Sequence, residues 1–200
     1  MMPIQILTKP VIAIDIDDVL ADNALGFVQW SNARFGTRLT PDDYQEHWAE
    51  MWKVDNDELE RRAHEFRYSD HVGAYNVIPG AKQALDILKT RFTLIIITSR
   101  VSTMQKLTKE WIDKNYEGIF SDCIFCGFYD KSISIGLKLT KAEFARNVNA
   151  DYLIDDQIKH IEAAASIGIK SLLFGNYSWN KKEELGNNIV RVKDWGEVLK

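Results

Sequence analysis

The chain has 200 residues, 46% hydrophobic and 27% charged, with 11 glycines and 4 prolines, which excludes collagen-like, low-complexity and disordered classes. A formal charge of −4 with no block of Lys or Arg lacks the basic footprint of a duplex nucleic-acid binder. Apolar runs such as Val11–Ile14 and Leu94–Ile97 fall far short of the roughly 20 residues of a membrane span, so no membrane partner is expected either. Met1 to Pro10 shows no signal-peptide pattern, and Cys123 and Cys126, the only cysteines, fit a reducing cytoplasm.

In chain order, Val11–Asp15 is the first buried strand, short and apolar. Three helical patterns follow with no strand between them. Leu25, Val28 and Phe35 mark the first; Tyr44, Trp48 and Trp52 the second, opened by Thr40-Pro41; Leu59, Ala63 and Phe66 the third. Alternation then begins. Ala81, Ala84, Leu85 and Leu88 form a helical stripe after Pro79-Gly80, and Leu94–Thr98 reads as a strand. Met104, Leu107 and Trp111 mark a helix and Cys123–Phe125 a strand. Thr140-x-x-Glu143 is a capping box that opens the next helix, before the strand Tyr152–Asp155. A last helix, with Ile158, Ile161 and Ala165, stops at Gly168 ahead of the strand Ser171–Phe174. This order predicts an α/β fold: a Rossmann-like parallel sheet with helices on both faces, built from residues 1–21 and 78–200. The helical block 22–77 is too long for a crossover and is expected to be an all-helical cap inserted after strand one.

The chemistry concentrates at predicted strand ends, where open α/β sheets bind ligands. Asp15-Ile16-Asp17-Asp18 directly follows the first strand. Residues two apart on a strand share a face, so Asp15 and Asp17 are expected to converge. Such a pair suits divided roles, one a nucleophile or metal ligand and the other a general acid; the bland alternative is an acidic turn. Thr98-Ser99-Arg100 offers hydroxyls and backbone N–H groups before a helix N-terminus, a natural anion site or simply a cap. Asp155-Asp156 ends another strand, and carboxylates from two strand ends are what Mg²⁺ requires. Lys141, in the first turn of the Thr140-capped helix, would set an ammonium beside a phosphate or Asp15; otherwise it is a surface lysine.

Asp15-x-Asp17, Thr98, Lys141 and Asp155-Asp156, in this order over nearly the whole chain, resemble the four motifs of the haloacid dehalogenase (HAD) superfamily phosphatases. Within it, Asp15-Ile16-Asp17-Asp18-Val19-Leu20-Ala21-Asp22, the helical insert and Leu153-Ile154-Asp155-Asp156 are similar to the 5′(3′)-deoxyribonucleotidase branch. The resemblance implies a HAD-like core with strand one flanked by strands two and four, and a small phosphomonoester, a nucleotide, as substrate. It implies Asp15 as the nucleophile forming an aspartyl-phosphate, Asp17 as general acid and then base, and Thr98, Ser99 and Lys141 as phosphate ligands. Mg²⁺ would be held by Asp15, Asp17 through its backbone carbonyl, and the pair Asp155 and Asp156. This chain departs from the branch at Asp18, where many members have Gly, and at Asn23, where they have a base-stacking aromatic; Lys138 is a second lysine near the Lys141 position.

Among the insert's aromatics, Trp30 and Trp48 are candidates to stack on a base, with core packing as the alternative, and Arg100 is a candidate substrate contact. Cys123-Ile124-Phe125-Cys126 lacks a second ligand pair for zinc and reads as two structural thiols. Phe174-Gly175-Asn176-Tyr177-Ser178-Trp179-Asn180 follows the last predicted core strand with no assigned role. The competing functions are a sugar-phosphate or other small-metabolite phosphatase and a catalytically silent Mg²⁺-binding regulator. A phospho-accepting receiver is disfavoured, because its acidic pair follows strand one and its acceptor Asp comes later.

Overall fold

A computed structural model describes residues 9–127 and 139–200. Six strands, β1 (Val11–Ile14), β2 (Thr93–Thr98), β3 (Asp122–Phe125), β4 (Tyr152–Asp155), β5 (Lys170–Phe174) and β6 (Ile189–Val192), form one parallel sheet in the order β3-β2-β1-β4-β5-β6. Ile14 pairs with Ile96 on one side and Ile154 on the other, so the carboxyl ends of β1, β2 and β4 lie side by side. The expected flanking of the first strand by the second and fourth is what the sheet contains.

Alternation along these strands feeds two apolar layers. Ile12, Ile14, Leu94, Ile96 and Ile154 face one layer, closed by α4 (Ala81–Leu88), α5 (Gln105–Tyr116) and α8 (Trp195–Val198). Ala13, Ile95, Ile97 and Leu153 face the other, closed by α6 (Lys141–Asn147) and α7 (Ile158–Ser166). There Ala13 meets a layer containing Ala142, Ala145 and Ala164, small side chains that let the two helices lie close on the sheet. The start of α6 is fixed by the expected capping box: Thr140 Oγ1 accepts from the Glu143 N–H at 3.2 Å, and the Thr140 N–H donates to Glu143 at 2.7 Å. That box sets where Lys141 enters the sheet end.

Between β1 and β2 the chain forms α1 (Asn23–Phe35), α2 (Trp48–Trp52) and α3 (Asn56–Arg67), with 3₁₀ turns at Pro41–Asp43 and Asp70–Ala74. The single helix expected over Tyr44, Trp48 and Trp52 is not formed. Asp43 folds back on the N–H and hydroxyl of Thr40, each at 2.8 Å, and closes a lone 3₁₀ turn. Tyr44 leaves it with an extended ψ of 133° and packs its ring edge-on to Phe27, at 5.5 Å, and to Trp179, at 5.4 Å. Ring packing across elements thus outweighs local helix continuation. A second difference is β6 with α8, absent from the sequence reading: Ile189–Val192 is an edge strand with Val190 exposed and Arg191 interrupting its apolar run.

Candidate active site

The first acidic turn is built around one carbonyl. The Asp15 N–H still bonds the Ile154 carbonyl of β4 at 2.9 Å; beyond it the N–H groups of Val19, Leu20 and Ala21 all converge on the Ile16 oxygen, at 3.3, 2.8 and 2.9 Å. Asp15, at the strand end, and Asp17, in the turn that follows, both line one cavity. Asp18 takes the left-handed φ of 58°, the region glycine fills without strain and Asp tolerates better than most residues. Its carboxylate accepts from the Ala24 N–H at 2.8 Å and Asn23 Nδ2 at 3.2 Å, at the entrance to α1. Burial pushes the Asp18 carboxyl up to about 8, against those hydrogen bonds, which pull it down.

At the ends of β1 and β4 lies a buried ionic cluster. Lys141 Nζ sits 2.8 Å from Asp15 Oδ2 and 2.8 Å from Asp155 Oδ2, with the lysine only 2% exposed. Burial alone would favour a neutral amine, but Asp15 and Asp155 outweigh it and hold Lys141 above its ordinary range. Asp15 is pushed up to about 7, chiefly by burial and further by Asp155 and Asp17, while Lys141 opposes the rise. Its second oxygen, Oδ1, is buried with no hydrogen-bond partner. Asp156 is raised well above the carboxylate range, again chiefly by burial and then by Asp155. Asp15, Asp155 and Asp156 each present an oxygen within 4.8 Å of the others. An orphaned buried carboxylate oxygen facing an all-oxygen, net-negative donor set fits a hard divalent cation.

Asp17 takes no part in that cluster through its side chain. Arg100 Nε and Nη2 grip its carboxylate at 3.1 and 2.7 Å, and Arg100 Nη1 donates to Thr108 Oγ1 at 3.1 Å. Arg100 is buried, so this pair fixes the direction from which Asp17 meets the cavity. Thr98 is fully buried at the end of β2, its hydroxyl accepting from the Arg100 N–H at 3.2 Å, while Ser99 reaches the cavity wall. A 3₁₀ turn at Ser102–Met104 runs straight into α5 at Gln105, so the helical N-terminus expected after Arg100 begins two residues on, at Ser102.

The cavity, about 380 Å³, runs from Asp15, Asp17, Ser99, Arg100 and Lys141 to a wall of Tyr44, Trp48, Phe66 and Tyr75. Trp48 lines it; Trp30 does not, its ring meeting Phe27, Phe35 and Phe66 inside the helical block. Core packing is thus what the structure gives Trp30. Lys138 lies outside the described residues. Cys123 and Cys126 are free, and burial pushes their thiols up to about 11 and about 12, the inert range.

The sequence reading missed the groups that hold the acidic turns. Tyr177 Oη donates to the Asp18 carbonyl at 2.7 Å, Trp179 Nε1 to Asp156 Oδ2 at 2.6 Å, and Asn180 Nδ2 to the Asp156 carbonyl at 3.1 Å. Their motif was visible, but nothing local tied it to residues more than 20 positions away.

Comparison with known proteins agrees with this fold. Residues 9–200 match the model of the family described as 5′ nucleotidase, deoxy (pyrimidine), cytosolic type C protein. The chain is 25% identical to a nucleotidase of Clostridium acetobutylicum, covering 94% of this chain and 90% of that one. It is also 25% identical to a 5′(3′)-deoxyribonucleotidase of Bacillus subtilis, covering 95% and 96%. Among solved structures, a haloacid dehalogenase-like hydrolase from Streptococcus pneumoniae superposes with a TM-score of 0.68 at 16% identity, over 96% of this chain and 97% of that one. The B. subtilis HAD hydrolase YfnB, solved bound to magnesium, gives 0.62 at 14% identity, over 96% and 97%. Among the described residues no helix is long and apolar enough to cross a membrane. The chain belongs to the type C 5′-nucleotidase family and is a HAD-superfamily phosphatase.

Proposed function

We propose that the protein hydrolyses nucleoside monophosphates with Mg²⁺ through an aspartyl-phosphate on Asp15. The observation that carries this reading is the Asp15 carboxylate, held on one oxygen by Lys141, orphaned on the other, and sharing a cavity with Asp17. Asp15, Asp155 and Asp156, with the backbone carbonyl of Asp17, would hold the Mg²⁺, which supplies charge neutralisation for the dianionic phosphoryl group.

An Asp15 oxygen attacks phosphorus, the bond to the leaving oxygen breaks, and Asp17 gives that oxygen its proton. Asp17 then takes a proton from water, whose oxygen attacks the acyl-phosphate phosphorus and returns Asp15 as a carboxylate. Ser99 and the Lys141 ammonium steady the phosphoryl oxygens, Thr98 supports the strand end beneath them, and Arg100 fixes the Asp17 carboxylate. The block 22–77 acts as a cap that excludes water while its aromatic wall receives the base. A cytoplasmic location belongs to the same reading, supported by two free, buried or half-buried thiols.

The test is phosphate release, with Mg²⁺ or with EDTA, across nucleoside monophosphates and sugar phosphates. Mg²⁺-dependent turnover of deoxynucleotides is the expected result. Turnover of sugar phosphates alone would overturn the nucleotide assignment and keep the chemistry. Mg²⁺ binding with no release from any substrate would favour a silent regulator.

A further inference from the structure

The segment after β5 is built rigidly against both acidic turns. Gly175 has φ of 79°, and a Cβ there would lie 2.2 Å from the Tyr177 ring, so the turn needs glycine. Asn180 is fully buried and anchored: it donates to the Phe174 carbonyl at 2.9 Å and accepts from Arg191 through Oδ1 at 3.1 Å and its backbone oxygen at 2.7 Å. Tyr177 and Trp179 stack face to face, 4.6 Å apart and 3° from parallel. Such a frame leaves the Trp179 indole little freedom, and its N–H points at Asp156 Oδ2 from 2.6 Å. Gln157 Nε2 donates to the same oxygen at 2.8 Å.

Three buried carboxylates within one cation's reach repel, and an unrestrained Asp156 would relieve that repulsion by rotating away. Two donors on one oxygen oppose the rotation. We propose that Trp179, together with Gln157, is a positioning residue that holds Asp156 in the orientation in which it shares a single divalent cation with Asp15 and Asp155. This rests on the reading of the carboxylate cluster as a Mg²⁺ site. The same indole meets the edge of Tyr44 at 5.4 Å, and Ser178 Oγ donates to the Asp42 carbonyl at 3.0 Å, so the group that holds Asp156 also touches the helical block.

Isothermal titration of the purified protein with Mg²⁺ tests this without reference to turnover. Trp179→Phe keeps an aromatic ring in the stack while deleting the N–H donor and one fused ring; Gln157→Leu strips the second donor and leaves the stack untouched. Each is expected to weaken Mg²⁺ binding about 10–100-fold, the usual effect of removing a hydrogen bond to a metal ligand. Turnover should recover as Mg²⁺ is raised to saturation, with the Mg²⁺ activation constant shifted and kcat largely restored. Gln157→Leu decides the matter if Trp179→Phe does not fold by circular dichroism. Folded variants that bind Mg²⁺ within twofold of the unaltered protein would overturn the positioning role alone. An unaltered protein that takes up no Mg²⁺ would overturn the cation reading and this role together.

Discussion

Replacing Lys141 with Met probes the ionic cluster while keeping most of the side-chain volume. The ammonium lies 2.8 Å from an oxygen of each of two buried carboxylates. At an effective dielectric of about 20, each contact is worth about 6 kcal/mol in gross Coulomb energy, offset by several kcal/mol of desolvation per ion. Breaking a buried pair on one side typically costs about 3–5 kcal/mol, because the other charge is left behind. In a chain of this size that corresponds to a fall in Tm of roughly 6–20 °C. The loss should depend on pH in a definite direction. Asp15 already sits near 7, above its unfolded value of 3.8, and Lys141 is what restrains it. Without Lys141 its folded pKa climbs further. The variant's penalty is then largest above that value and shrinks as falling pH protonates the folded carboxylates. Differential scanning fluorimetry at pH 8 and pH 5.5, in EDTA, checks both parts. A Tm loss below about 3 °C at pH 8, or one of equal size at both pH values, would refute the ionic reasoning.

Asp17→Asn removes the proposed proton donor and acceptor while retaining the shape, and should lower kcat by about 10²–10⁴-fold with Mg²⁺ binding little changed; steady-state kinetics with calorimetry separates the two. His160 lines the cavity and is pulled down to about 4, first by burial and then by Lys141 and Lys159. Because its unfolded value is about 6.5, the unfolded chain takes up the proton first as pH falls from 6.5 to 4. Stability from the neutral imidazole is therefore complete above 6.5 and lost through that window, by up to about 3 kcal/mol. The Tm advantage of the unaltered protein over His160→Gln should shrink accordingly between pH 7 and pH 4.5. At Asp18, with φ of 58°, Gly should be milder than Ala by about 1 kcal/mol in urea denaturation, since both lose the cap to Ala24 but only Ala keeps the strained backbone.

How far the sequence carried the fold follows from where its information lies. Parallel strands buried on both faces appear as short apolar runs, so β1, β2, β4 and β5 were legible almost to the residue, and the acids at their ends were legible with them. Thr140 and Glu143 announced α6 because a capping box is local. Long-range pairs left no such trace. Arg100 and Asp17 stand 83 residues apart, and Trp179 and Asp156 stand 23 apart; no periodicity links either pair. Trp30 and Trp48 were equal candidates among the insert's aromatics, and only the folded helical block decides that one is packed among rings while the other reaches the cavity. Asp15 and Asp17 both line the cavity, the second from a turn wound around the Ile16 carbonyl that strand geometry does not describe.

The central claim is that Asp15 carries the phosphoryl group. Acid-quenching the protein milliseconds after mixing with a deoxynucleoside monophosphate and Mg²⁺, followed by peptide mass spectrometry, reads this directly. The account predicts a phosphoryl adduct on the peptide containing Asp15, lost in EDTA and absent from Asp15→Asn together with steady-state phosphate release. Phosphate release that persists in Asp15→Asn, or an adduct on any other residue, would contradict it.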